Sequence, residues 1–60
     1  MNYANLMKLY INRHGITQGE FGKRVGIDRG RVNKIILGRK HPNPPELEKL
    51  EKFFTDQKSN

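Results

Sequence analysis

Apolar residues recur along this chain three and four positions apart, the period of an amphipathic helix. The first such set is Tyr3, Met7, Tyr10 and Ile11. Gly15 follows this set as a helix stop, so we predict a first helix over residues 3–13. Alternation of apolar and polar residues, the pattern of a half-buried strand, persists nowhere. The pattern therefore favours an all-α protein.

A second helix is predicted from Gln18 to Val25. Thr17 and Glu20 have the T-x-x-E spacing of a capping box, which satisfies free amide groups at a helix start. Gly26 is the expected end, because glycine adopts the left-handed conformation that terminates helices.

A third helix is predicted from Arg29 to about Leu37, with Asp28 as its N-cap and Gly38 as its end. By the helical period, Val32 and Ile35 face inward, whereas Gly30 lies near the middle of the outward, polar face.

Asn43 and Glu46 have another capping spacing and predict a fourth helix from Pro44 to about Phe54. Prolines are tolerated in a first helical turn, where their missing N–H groups are not needed. The remaining residues, 55–60, are expected to be a frayed tail.

These elements predict one domain over residues 1–60, a small four-helix bundle with one core. The predicted core residues are Met7, Tyr10, Ile11, Ile16, Phe21, Val25, Ile27, Val32, Ile35, Ile36, Leu47, Leu50 and Phe54. The short turn at Gly26 makes the second and third helices a helix-turn-helix. Gly22 is expected where these helices come closest, so that a side chain larger than a methyl would separate them.

The distribution of charge along the chain indicates the kind of partner it binds. The net charge is +6, and it is concentrated in the middle of the chain. Residues 28–40 hold five Lys or Arg and one acidic residue, whereas residues 41–60 hold three Lys and four acidic residues. A localised basic stripe is typical of proteins that bind nucleic acids.

The segment TQGEFGKRVGIDRGRVNKIILGRKHPN resembles the DNA-binding domain of the Cro/phage-repressor family, also called the XRE family. The resemblance covers roughly residues 3–54. The residues that carry it are Gln18, Gly22, Gly26, Val32, Ile35, Gly38 and Pro42. It implies a lambda-repressor-like fold, with the third helix in the major groove of DNA and the second on the backbone.

The resemblance also implies the roles of individual residues. Base contacts are expected from Arg29, Asn33 and Lys34, and Asp28 can add one to its capping role. Phosphate contacts are expected from Gln18, Lys23, Arg31, Arg39 and Lys40. Because one such domain contacts few base pairs, we expect a weak homodimer on an inverted-repeat operator, with Phe53 as the candidate dimer contact.

The chain departs from the family pattern in two respects. The family more often has alanine at the position of Gly22. It also often has a buried arginine–glutamate pair between the first helix and the end of the third, where this chain has Ile11 and Ile36. Since both partners are apolar here, no buried charge is left unpaired.

Other functions have less support in the sequence. There is no cysteine, Ser59 is the only serine, and the two histidines have no acid or nucleophile partner, so we expect neither an enzyme nor a metal site. No cofactor, small-molecule ligand or membrane span is expected, and the location expected is the cytoplasm, on the nucleoid. The function expected is sequence-specific binding of double-stranded DNA by a Cro-like transcriptional repressor from a phage or mobile element. Three alternatives stay open: an antitoxin, a restriction–modification controller, and a protein-binding module using the outer faces of helices three and four.

Overall fold

The computed structural model describes residues 2–58, and the side chains of residues 2–56. Its four helices are α1 (Tyr3–His14), α2 (Gln18–Val25), α3 (Arg29–Ile36) and α4 (Pro44–Lys58). No strand occurs within residues 2–58. The predicted all-α, four-helix fold is therefore confirmed.

The helix ends confirm the predicted caps. The Thr17 hydroxyl accepts a hydrogen bond from the Glu20 N–H (3.0 Å), and the Asp28 carboxylate accepts one from the Gly30 N–H (2.9 Å). Gly26, with φ of 85°, terminates α2 in the left-handed conformation. Local sequence thus fixes where α2 ends and α3 begins.

The fourth helix begins as predicted and ends later. Asn43 and Glu46 form a reciprocal capping box, in which each side chain accepts from the other's backbone N–H (2.9 and 3.0 Å). The helix then continues to Lys58, four residues past Phe54, because no glycine or proline interrupts it. Of the tail predicted to fray, only Ser59 and Asn60 lie outside the described residues.

One cluster of side chains forms the core. Its buried members are Met7, Phe21, Val25, Ile27, Val32, Ile35, Ile36 and Leu50. Tyr10, Ile11, Ile16 and Phe54 pack at its edge and are only partly buried. The prediction for Leu47 is wrong: this side chain is 39% exposed, because α4 turns Glu46 and Leu50 inward instead.

Phe53 also packs against this core. Its ring centroid lies 5.1 Å from that of Tyr10 and 5.6 Å from that of Phe21, both edge to face. Such pairs favour a fixed ring orientation. Phe53 is half-buried, so part of its surface belongs to the core of its own chain.

The corner between α2 and α3 is tighter than the sequence predicts. Gly22 is buried, and its carbonyl accepts hydrogen bonds from the N–H groups of Gly26 (2.7 Å) and Ile27 (2.9 Å). A Cβ atom on Gly22 would approach the Ile27 carbonyl oxygen more closely than van der Waals contact allows. The expectation that a methyl group fits here is therefore wrong.

Candidate nucleic-acid interface

The outward face of α3 is polar and exposed. It consists of Arg29, Gly30, Asn33 and Lys34. Val32, Ile35 and Ile36, on the opposite face, are buried. The helical period that places the apolar residues in the core therefore leaves one arginine, one asparagine and one lysine directed away from it.

The start of α2 lies beside this face. Thr17, Gln18 and Gly19 line one open cleft together with Arg29 and Asn33. The Asn33 Nδ2 atom donates a hydrogen bond to the Gln18 Oε1 atom (3.0 Å), which links the two helices across the cleft. The first-turn N–H groups of a helix lack partners within it and favour anions. The cleft thus joins amide-bearing side chains to a helix start that suits phosphate.

Gly19 packs against the Arg29 side chain. A Cβ atom on Gly19 would lie 3.4 Å from the Arg29 Cδ atom, so the aliphatic part of Arg29 runs along this glycine. Gly19 has no predicted role, although a glycine in the first turn of a short helix is a visible clue.

A basic loop follows α3. Arg39 and Lys40 are exposed, and their backbone N–H groups both bond to the Lys34 carbonyl (2.9 and 3.3 Å). These bonds hold the loop against the end of α3. Lys23 is exposed on α2. The cationic side chains expected to contact phosphates are therefore at the surface, with one exception.

That exception is Arg31. Its Nε and Nη2 atoms donate to the two carboxylate oxygens of Glu46 (2.9 and 2.7 Å), and Nη2 also donates to the His41 carbonyl (3.2 Å). The Arg31 guanidinium is thus engaged in an internal ion pair, because Glu46 lies within reach across the bundle, and its phosphate contact stays a prediction. The sequence pattern indicates only a capping role for Glu46.

The ion pair changes the proton affinity of both groups. The hydrogen bonds from Arg31 lower the pKa of Glu46 below its ordinary value, against the opposing effect of desolvation, and the Asn43 N–H adds to the lowering. The same hydrogen bonds raise the pKa of Arg31. The pair is therefore charged on both sides at neutral pH.

A family model described as helix-turn-helix matches residues 7–55 of this chain. The matched region contains α2, the turn at Gly26 and α3, together with the outward face of α3. The chain belongs to the XRE-type, Cro/phage-repressor helix-turn-helix family. Searches of the curated proteins and of the solved structures found no match.

The XRE-type family membership identifies the chain as a DNA-binding regulator. Its helix-turn-helix is the pair α2 and α3, as the position of Gly26 predicts. The position where this family often has a buried arginine is Ile11, and its glutamate partner position is Ile36. Ile36 is buried and Ile11 packs against the same cluster, so apolar contact joins α1 to α3 here.

Two further basic residues of this XRE-type domain, Lys49 and Arg24, make contacts between helices that the sequence pattern does not show. The Lys49 Nζ atom donates to the Gly26 carbonyl (2.8 Å), which places a cation at the C-terminal end of α2. Arg24 donates to the Tyr10 hydroxyl (3.0 Å) and to Glu20 (3.3 Å), and these two partners raise its pKa. These contacts tie α2 to α4 and α1.

A separate groove lies between α1 and α4. It has a volume of about 660 Å³ and is lined by apolar residues that include Leu6, Leu9 and Phe54. Leu9 is 66% exposed. None of the residues that line this groove belongs to α2 or α3, so it is distinct from the face that carries the DNA-binding motif.

Within residues 2–58, no three or more His, Cys, Asp or Glu residues are grouped so as to hold a metal ion. No helix in that range combines the length and the apolar character that a bilayer crossing requires.

Proposed function

We propose that this chain is a Cro-like transcriptional repressor, of the phage or mobile-element type, that places α3 in the major groove of its operator. The observation that carries the proposal is the outward face of α3, where three hydrogen-bonding side chains are exposed beside the N-terminus of α2. A helix of this kind fits the major groove, and each base pair presents a distinct pattern of donors and acceptors there. A protein seated in this way keeps other proteins off the same base pairs.

Three side chains of α3 make the base contacts in this proposal. Arg29 and Lys34 carry donors that suit the O6 and N7 atoms of guanine, and Asn33 suits the N6 and N7 atoms of adenine. Gln18 accepts one N–H of Asn33, which orients the Asn33 amide while its oxygen and second N–H stay available. Asp28 accepts the Gly30 N–H as a cap, and it remains the candidate acceptor for a cytosine amino group.

Phosphate contacts come from both sides of α3. Gln18 and Lys23 on α2 and Arg39 and Lys40 in the loop are the proposed contacts. The loop cations are supported by the two backbone hydrogen bonds to the Lys34 carbonyl, which keep them near the recognition helix. Such contacts position the protein without distinguishing sequences.

Two copies are proposed to bind one inverted repeat. The recognition helix has only eight residues, so one copy contacts few base pairs. Paired half-sites in such operators lie one DNA turn, about 34 Å, apart. The exposed part of Phe53 and the last turn of α4 are the proposed contact between copies. Sedimentation that finds a monomer even on an inverted repeat would contradict this part of the proposal.

The test of base recognition begins with selection of bound duplexes from a random pool. With the selected duplex, Arg29→Ala should relax the preference at one or two base pairs by about 1–3 kcal/mol, whereas Lys40→Ala should weaken binding to all sequences alike. Lys40→Ala should also reduce the slope of log affinity against log salt by about one unit. Equal losses on all sequences for Arg29→Ala would show that Arg29 does not contact a base.

A further inference from the structure

We infer that the Arg31–Glu46 ion pair is a positioning device that fixes α3 against α4 and so determines how strictly this protein discriminates between DNA sequences. The inference rests on the proposed function, since it assigns a role at the same interface. It concerns two residues whose side chains bind each other within the protein.

One guanidinium connects three parts of the chain. Arg31 lies in the first turn of α3, Glu46 lies in the first turn of α4, and His41 lies in the loop between them. The two Arg31 nitrogens that bond to Glu46 donate to different carboxylate oxygens. This is the bidentate geometry that arginine and carboxylate favour. Because the guanidinium is planar, this geometry fixes direction as well as distance.

Glu46 is held from the other side by its own helix. The Asn43 N–H donates to the Glu46 Oε1 atom (2.9 Å), the same oxygen that accepts from Arg31 Nη2. Glu46 is 9% exposed, and the Arg31 side chain is 30% exposed. A pair this shielded is screened by salt much less than a surface pair. The carboxylate therefore acts as a fixed anchor for the arginine.

The position of this pair links the two groups of proposed DNA contacts. Arg31 lies on α3 between Arg29 and Asn33, which are proposed to contact bases. The carbonyl of His41, which Arg31 also binds, follows directly after Arg39 and Lys40, which are proposed to contact phosphates. Loss of the pair frees α3 to shift relative to α4 and to the loop at His41, whereas Arg39 and Lys40 stay bonded to the Lys34 carbonyl at the end of α3. Phosphate contacts can then form while base contacts are misaligned.

The decisive variant is Glu46→Gln, compared with Glu48→Gln. Glutamine retains the capping role at this position of α4, so the variant removes the ion pair and keeps the helix start. Glu48 is exposed on the same helix, and its substitution makes the same change in net charge outside the network. Affinities are measured for the selected duplex and for a random duplex at several salt concentrations, with thermal unfolding as a check on folding.

We expect Glu46→Gln to lower the ratio of specific to random affinity by about tenfold relative to Glu48→Gln, comparable to one mismatched base pair. Its affinity for random duplex should be no lower than that of the Glu48→Gln control. Equal specificity ratios for the two variants would overturn the inference, and a lowered melting temperature alone would then mark the pair as merely structural.

A second variant, Arg31→Lys, keeps the positive charge and removes the bidentate geometry. If the pair positions α3, the ratio of specific to random affinity should fall for Arg31→Lys as it does for Glu46→Gln. The slope of log affinity against log salt should stay unchanged. If Arg31 instead contacts phosphate, Arg31→Ala should weaken all duplexes alike and reduce the salt slope by about one unit, which would overturn the inference. Wild-type protein without any sequence preference would contradict the proposed function itself, and that result is obtained before any variant is measured.

Discussion

Helix α3 is held on its two sides by different interactions. Against α2 it packs closely, through the buried glycine at position 22 and apolar side chains such as Val32. Against α4 its packing is sparse, and the ion pair between Arg31 and Glu46 joins the two helices. One side therefore depends on shape and the other on charge.

This difference predicts how each side responds to its surroundings. Apolar packing and backbone contact at the α2–α3 corner involve no titrating group, so the angle of the helix-turn-helix should not change with pH or salt. The α3–α4 contact depends on an ionised carboxylate and should weaken in acid. Substitution can therefore loosen the α3–α4 contact while the angle between α2 and α3 stays the same.

The largest effect is expected from the apolar side. Phe21 on α2 is fully buried, and Phe21→Ala should lower the free energy of unfolding by about 3–5 kcal/mol, since it removes buried area and leaves a cavity. Leu9→Ala is the control, because Leu9 is 66% exposed and should change stability by no more than about 0.5 kcal/mol. Urea unfolding followed by circular dichroism measures both, and similar losses would refute the packing described here.

A smaller effect with opposite signs is expected at two glycines. Gly22→Ala should lower the free energy of unfolding by about 1–3 kcal/mol, because the methyl group meets the Ile27 carbonyl and the corner must open. Gly30→Ala meets only the Asp28 carboxylate, at 3.0 Å, which must move by a few tenths of an ångström while it still caps α3, and helix propensity should then raise the free energy of unfolding by up to about 1 kcal/mol. Thermal unfolding of both variants that gave a gain at Gly22 would contradict the tight corner.

The smallest effect is expected from pH, on the polar side. Because the folded state lowers the pKa of Glu46, its stabilisation is complete above the ordinary glutamate pKa of about 4.3 and is lost as the pH falls through the lowered folded value. Wild type and Glu46→Gln should therefore differ in stability at pH 7 and converge in acid. Unfolding curves from pH 7 to about pH 3 test this, and a constant difference would show that the carboxylate charge is not involved.

The contrast between the two sides of α3 also explains which features can be predicted from the sequence. Helix starts at Thr17, Asp28 and Asn43 depend on neighbours within three residues, so local pattern is enough to find them. The outward face of α3 also follows from local pattern, because the period that predicts the buried face defines the opposite one. These local features account for the predicted fold and for the position of the candidate interface.

Contacts between distant charged residues are not predictable in this way. Arg31 and Glu46 are 15 residues apart, and Lys49 is 23 residues from the Gly26 carbonyl it binds. Composition shows that these charges exist, but their pairing depends on the packing of whole helices. The prediction that Leu47 is buried is wrong for a related reason, since the periodicity of α4 leaves open which of two neighbouring faces turns inward.

The most direct test of the central claim, that α3 and the start of α2 form the DNA interface, is an NMR titration of the labelled protein with the selected duplex. The account predicts that the largest amide and side-chain shifts occur at Gln18, Gly30, Asn33 and Lys34, and that they are lost at high salt. Shifts concentrated instead at Leu9 and Phe54, in the groove between α1 and α4, would contradict it.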